Sequence, residues 1–367
     1  MESSVRDRFL DWMSFQRVEE PPLMEMGIWD ETWERWHKEG LPGWVTNLRQ
    51  LEDYLGLDRS WNLNWLPIND GIHPRFEPEV LQENETELIL RDGTGVTLRQ
   101  FKHGGSMPQW LGFPVEDVGD YDELLPRLNG ADSSRYPEGF DQELRWRKDR
   151  GEIIGVSFEG FFGFPRNLMG VEGWCTAFYD QPELIKRIID DRVRFGKALY
   201  ARLLATGALD YVQMWEDMAY KAGPLISPKH VRKFMQPAYE ELVSFFRKAG
   251  VPLIMVDSDG RVQEILPVFL DAGVDGIVPC EIAAGSDPIV LRRSHPGVRL
   301  IGGMDKRAIA AGRDGVRSEL RRIQPLVREG GYVPSLDHFV PPDVSWGTYQ
   351  YYVEMRREML SGSQPID

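Results

Sequence analysis

Short apolar runs recur along the chain, and each ends in charged residues. VPLIMV (251–256) leads into Asp257-Ser258-Asp259-Gly260, and GVDGIVPC (273–280) into Glu281. VRLIGGM (298–304) leads into Asp305-Lys306, and GGYVPSL (330–336) into Asp337-His338. Each run has the length of a strand, and a helical pattern separates it from the next. Upstream, 153–158 and 208–215 read as further strands, the second ending at Glu216-Asp217. This is the rhythm of a parallel α/β fold, in which the carboxyl ends of the strands carry the chemistry. One internal echo points to a barrel. Asp210 and Asp275 each follow a helix-ending glycine (Gly207, Gly273), and each stands six residues before a strand-end acid, Glu216 and Glu281.

The intervening segments carry helix signals. Asp180-Gln181-Pro182-Glu183 reads as a start with Asp180 as N-cap, for a helix running to about Thr206. Ser227-Pro228 starts another, which Pro237 is expected to kink or divide. Helices are also predicted over 261–272, from Ser286-Asp287-Pro288, over 314–329 and over 343–360. Residues 1–60 look helical. Residues 61–150 are rich in Pro, Gly and Asn, and TELILRDGTGVTLRQF (86–101) reads as a β-hairpin. The expected organisation is one domain over 1–367. In it, 1–150 form an N-terminal extension with early barrel elements, and 151–360 form the regular βα units.

Composition narrows the partners. A net charge of −15, from 58 acids and 43 bases, disfavours a nucleic-acid backbone. No apolar run is long enough for a membrane helix. The N-terminus lacks the apolar core of a signal peptide, so a cytoplasmic protein is expected. Cys175 and Cys280 imply neither a disulfide framework nor a C-x-x-C motif. Six of the 12 tryptophans fall within 29–65, where they can line a pocket or build core and subunit contacts.

The residues resemble the uroporphyrinogen decarboxylase superfamily, which holds the haem-pathway decarboxylase and corrinoid-linked methyltransferases. The likeness runs through Gly170-Val171-Glu172, the 180–183 helix start, Glu216-Asp217-Met218 and Gly223-Pro224-Leu225-Ile226-Ser227-Pro228. It continues through Val256-Asp257-Ser258-Asp259-Gly260, Ile301-Gly302-Gly303-Met304-Asp305-Lys306 and Asp337-His338-x-Val340-Pro341-Pro342. The resemblance implies a (β/α)8 TIM barrel with its site at the mouth.

Two departures bear on function. Where the true decarboxylase resembles a carboxylate receptor with an Arg-Gln-Ala-Gly-Arg motif, this chain has Glu25-Met26-Gly27-Ile28-Trp29-Asp30, with neither arginine. The expected mouth collects Glu159, Glu216, Asp217, Asp257, Asp259, Glu281 and Asp305. Arg166, Lys221, Arg261 and Lys306 offset these only partly, which disfavours a polyanion. The family's zinc methyltransferases carry His-x-Cys and a later Cys; here Asp257-x-Asp259 and the Asp337-His338 corner stand in those places. That set suits zinc with hard ligands, or manganese or iron, better than a thiol-activating centre.

The expected catalytic residues are therefore His338, Glu281, Asp217 and Glu216. Phe158, Phe161, Arg166, Tyr220 and Asp305 are expected to bind substrate, and Asp257, Asp259 and His338 to hold a divalent metal. Plainer roles stand beside these: Asp259 and Asp305 as helix caps, Cys280 as core, His338 bonded to a loop. The leading reading is a methyltransferase acting on a small methylated or methoxylated compound, with a corrinoid protein or small acceptor as partner. A decarboxylase or other lyase on a smaller carboxylated substrate is the first alternative. A non-catalytic barrel that binds a tetrapyrrole or corrinoid is the second. A homodimer is in keeping with the family.

Overall fold

The computed structural model describes residues 3–62, 65–102 and 108–362. An antiparallel sheet comes first, with β1 Glu79–Glu83, β2 Glu87–Arg91, β3 Thr97–Phe101 and β4 Gln109–Gly112 in sequence order. The expected hairpin is its centre: Glu87 pairs with Phe101 and Arg91 with Thr97. Asp92 caps the connecting turn, accepting from the Thr94 and Val96 amides.

The parallel strands are β5 Gly155–Glu159, β6 Tyr211–Trp215, β9 Leu253–Asp257, β10 Gly276–Cys280, β11 Arg299–Gly302 and β12 Tyr332–Val333. A two-residue hairpin, β7 Ala219–Tyr220 with β8 Gly223–Pro224, interrupts the series at the rim. The six parallel strands form one sheet in the order β5-β6-β9-β10-β11-β12.

Two segments without regular strand structure close this sheet into a barrel. The Leu66 amide bonds Gly155 O at the β5 edge. At the other edge Ile28 forms a parallel bridge to Val340. The two closing segments meet through the Asp58 amide on Leu23 O and the Asn62 side chain on Met26 O. Six strands and two segments make the eight staves of a (β/α)8 barrel, as expected.

Alternation along the strands decides what reaches the interior. Glu159, Trp215 and Asp257 are in register across β5, β6 and β9. Tyr211 and Gln213 share their inward face, and Trp65 stacks on Tyr211 at 5.5 Å between centroids. The residues between them point outward into the helical layer. Phe158 packs edge-on to Tyr200, and Arg192 lies over its ring at 4.1 Å.

Helices Val118–Leu124 and Phe140–Asp149 stand where none was expected, and three further places differ. A helix Gly163–Asp180 precedes the expected one, so Asp180 ends an element instead of capping the next. The N-cap of Pro182–Leu204 is Gln181, which makes no side-chain cap bond. Gly170, at φ 72 inside the earlier helix, breaks the apolar periodicity that would have revealed it. The expected 261–272 helix is only Leu266–Asp271. Before Pro237, Val231–Met235 widens into a π-helical turn, the form the expected kink takes.

Candidate active site at the barrel mouth

Asp257 ends β9 with its carboxyl inside the barrel. Gln213 Nε2 donates to its Oδ2 at 2.5 Å. Burial, with Asp259 and Asp217 nearby, holds the Asp257 carboxyl well above the usual carboxylate range.

The Asp257 carbonyl accepts the amides of Glu216 and Asp217, at 2.8 and 3.1 Å. This places Asp217 beside the mouth with φ 41, a left-handed conformation that aspartate tolerates better than most residues. Arg166 clamps it, with Nη1 at 2.5 Å from both Asp217 O and Oδ2.

Gly260 follows Asp259 at φ +84, and a Cβ there would lie 2.5 Å from the Ala219 and Tyr220 backbone. That close approach seats the β7–β8 hairpin on the rim, where Tyr220 is half exposed. With no helix starting at 261, Asp259 caps nothing there. It faces His338, whose Nε2 is 3.6 Å from Asp259 Oδ2. His338 Nδ1 accepts the Phe339 amide at 2.8 Å, so in the neutral ring the proton is on Nε2, toward Asp259. Trp29, 45% exposed, stacks on His338 with centroids 5.6 Å apart.

Glu281 accepts the Gly260 amide at 3.0 Å. Lys306 Nζ sits between Glu281 and the buried Asp337, at 3.9 and 3.8 Å. Asp337 also accepts the amides of Ile282 and Lys306.

Four expected site residues take structural roles. Glu216 is buried with four donors on its carboxylate: the amides of Phe161, Phe162 and Gly163, at 2.9, 2.5 and 3.1 Å, and Tyr239 Oη at 2.5 Å. It ties down the start of helix Gly163–Asp180 from outside the barrel wall. Phe158 and Phe161 are fully buried in the helical layer and line no opening; Phe161 packs on Tyr239 at 4.8 Å. Asp305 caps helix Lys306–Ala310 and binds Arg307 at 2.7 Å.

The three expected metal ligands divide. Asp259 and His338 form a pair, while Asp257 is held by Gln213. Among the described residues no three of His, Cys, Asp and Glu gather as a metal-binding set.

Sequence reasoning passed over Gln213, Asp70 and Arg192. Asp70 accepts the Glu159 amide at 2.6 Å and Arg192 Nη2 at 3.2 Å, and Arg192 bonds Glu159 O at 2.8 Å. The signal for Gln213 was available: it is a polar residue in the inward register of an apolar strand. Asp70 sits in Asn69-Asp70-Gly71, which reads as a turn.

Fold and site together define a (β/α)8 barrel with an acid-lined mouth. The sequence pattern of the uroporphyrinogen decarboxylase (URO-D) family matches residues 148–359, and the chain belongs to that family. A methyltransferase from Methanosarcina mazei superposes with a TM-score of 0.63 at 15% identity, over 97% of this chain and 99% of that one. A B12-independent methionine synthase from Shewanella sp. W3-18-1 gives a TM-score of 0.42 at 14% identity, over 61% and 66%. No curated protein matches by sequence. No helix among the described residues is long and apolar enough to cross a membrane.

Proposed function

We propose that this chain is an enzyme of the methyltransferase-like kind. It takes a methyl group from a small methylated or methoxylated compound and passes it to a corrinoid on a partner protein or to a small acceptor. The observation that carries this reading is the Asp257 carboxyl at the end of β9, held inside the barrel by Gln213 and pushed above the usual carboxylate range by burial. A strand-end acid whose pKa is raised is suited to donate a proton. When the bond between methyl carbon and oxygen breaks, its electron pair goes to oxygen, and the Asp257 proton neutralises it. The acceptor supplies the pair that forms the new bond to carbon.

The charge around Asp257 supports a weakly charged substrate. Arg166 is committed to Asp217, and Lys306 stands between two carboxylates. Neither is free to receive a polycarboxylate. The Asp259–His338 pair with Trp29 over it offers a flat, polar-edged wall.

The test is methyl loss from a panel of methoxylated aromatics, with a reduced corrinoid as acceptor. Turnover that falls roughly 100-fold or more in Asp257→Asn supports the reading. Release of CO2 from a carboxylated compound, with no methyl transfer, would replace it with the lyase reading. Corrinoid binding without turnover would leave a binding protein.

A further inference from the structure

A cavity of about 270 Å³ lies where the antiparallel sheet meets the barrel rim, on the β5 side of the mouth. Its polar lining comes from Asn69, Arg75, Asp92, Thr94, Glu159 and Asn167. Trp110, Phe113 and Phe164 give it flat apolar walls. It is near the small end of ligand pockets, roughly 300 Å³.

The polar groups divide into the committed and the free. Asp92 Oδ1 already accepts from the Thr94 amide, the Thr94 hydroxyl and the Val96 amide. Asp70, just behind the wall, is taken by Arg192 and the Glu159 amide. Asn69 bonds the Gly71 amide and His73.

Arg75, Glu159 and Asn167 remain. Arg75 makes no ion pair among the described residues. Asn167 Nδ2 reaches Glu159 Oε1 only at 3.5 Å. Burial, then the neighbouring Asp70 charge, pushes the Glu159 carboxyl up to about 7, against the opposing pull of Arg192 and Arg75. Below that pH the three free groups present a guanidinium, a carboxylic O–H and an amide N–H. Each can donate, and all three line the same space, a combination that suits a head that only accepts.

We propose that this cavity is a binding site for a small carboxylate with a flat apolar body, its head held by Arg75, Glu159 and Asn167 and its ring between Trp110, Phe113 and Phe164. The proposal concerns binding alone and stands whether or not methyl transfer occurs at Asp257. The pH dependence follows from the groups facing Glu159. These are Asp70 and Arg75 from the segment after Leu66, Asn167 from helix Gly163–Asp180 and Arg192 from helix Pro182–Leu204. Asp92, from the β2–β3 turn, lines the same space. When Glu159 ionises, its donor is lost and two carboxylates face each other.

Calorimetric titration with benzoate tests this, with benzamide as the uncharged isostere. Benzoate is ionised at both pH 6 and pH 8. At pH 6 the full chain is expected to bind benzoate at least about tenfold more tightly than benzamide. Benzoate affinity is expected to fall roughly tenfold by pH 8. Arg75→Met, at an exposed position where folding is not at stake, is expected to weaken benzoate about tenfold or more. Glu159→Gln keeps a donor that cannot ionise, so binding is expected to persist while the fall with pH disappears. Absence of benzoate binding overturns the proposal. So does equal affinity for benzamide, an unchanged affinity in Arg75→Met, or a parent protein whose affinity ignores pH.

Discussion

Gln213 and Asp257 are joined inside the barrel by a 2.5 Å hydrogen bond from the amide Nε2 to the carboxyl Oδ2. The other end of the amide is also held, because Tyr211 Oη donates to Gln213 Oε1 at 2.7 Å. The tyrosine therefore keeps the amide turned with its N–H toward the carboxyl. With Oδ2 accepting, Oδ1 is the oxygen left to carry a proton when Asp257 is protonated. A residue that looks like filler within β6 thus sets which oxygen can donate.

Replacing Asp257 by Asn is expected to stabilise the fold while removing its acid. The folded carboxyl titrates well above its value of about 3.9 in an unfolded chain. Above that lower value the native state retains a proton the unfolded state has released, so stability falls as pH rises. Asparagine has no such proton to retain. The melting temperature of Asp257→Asn should exceed the parent's at pH 8 by roughly a few degrees, and the gap should shrink toward pH 4. A variant that melts lower at pH 8 would show that the carboxyl is ionised in the fold.

Glu216→Ala is expected to cost about 3–5 kcal/mol, because three amide donors and the Tyr239 hydroxyl lose their acceptor in a buried place. Urea denaturation measures this. A loss below about 1 kcal/mol would mean that water replaces the carboxylate.

Gly163 and Gly347 make a matched pair. A Cβ at Gly163 would lie 2.1 Å from Trp215 O, while one at Gly347 meets nothing within 4 Å. Gly163→Ala should destabilise by about 1–3 kcal/mol or more, since backbone must move. Gly347→Ala, in a helix, should be neutral or stabilising by up to about 1 kcal/mol. Equal effects in thermal melts would contradict this packing of helix Gly163–Asp180.

Arg192 is buried and bonds Asp70 O at 2.7 Å, with the rings of Phe158, Phe164 and Phe195 around its guanidinium. Arg192→Met should cost about 3–5 kcal/mol by leaving Asp70 unpaired. It should also move the Glu159 titration upward, since Arg192 opposes the rise to about 7. The pH midpoint of benzoate binding reports that second effect; a midpoint that stays or falls would argue against the contact.

The strands and several helices were legible because the apolar runs end in a charge and helices such as Pro182–Leu204 and Pro288–Ser294 begin at a proline. The family motifs led to the barrel. What failed was parity. Counting in twos from Asp257, across the paired strands, puts Trp215 and Glu159 inside, and so puts Glu216 and Phe158 outside. A strand end fixes a residue's height in the barrel, and only the register gives its direction. The first two staves were expected only as unplaced early barrel elements within 1–150, for another reason. They have almost no ladder of their own, so no alternating pattern marks them.

Those two staves have a consequence for how the molecule comes together. All six regular strands lie between residues 155 and 333, where neighbours in space are close in sequence. The seam instead brings Ile28 to Val340, from opposite ends of the chain. Such a distant contact is slow to form and adds few backbone bonds when it does. The wall is therefore a clasped hoop, and its clasp is the part expected to fasten last. The clasp also carries Trp29 to His338, so the mouth gains its aromatic wall only once the hoop is shut.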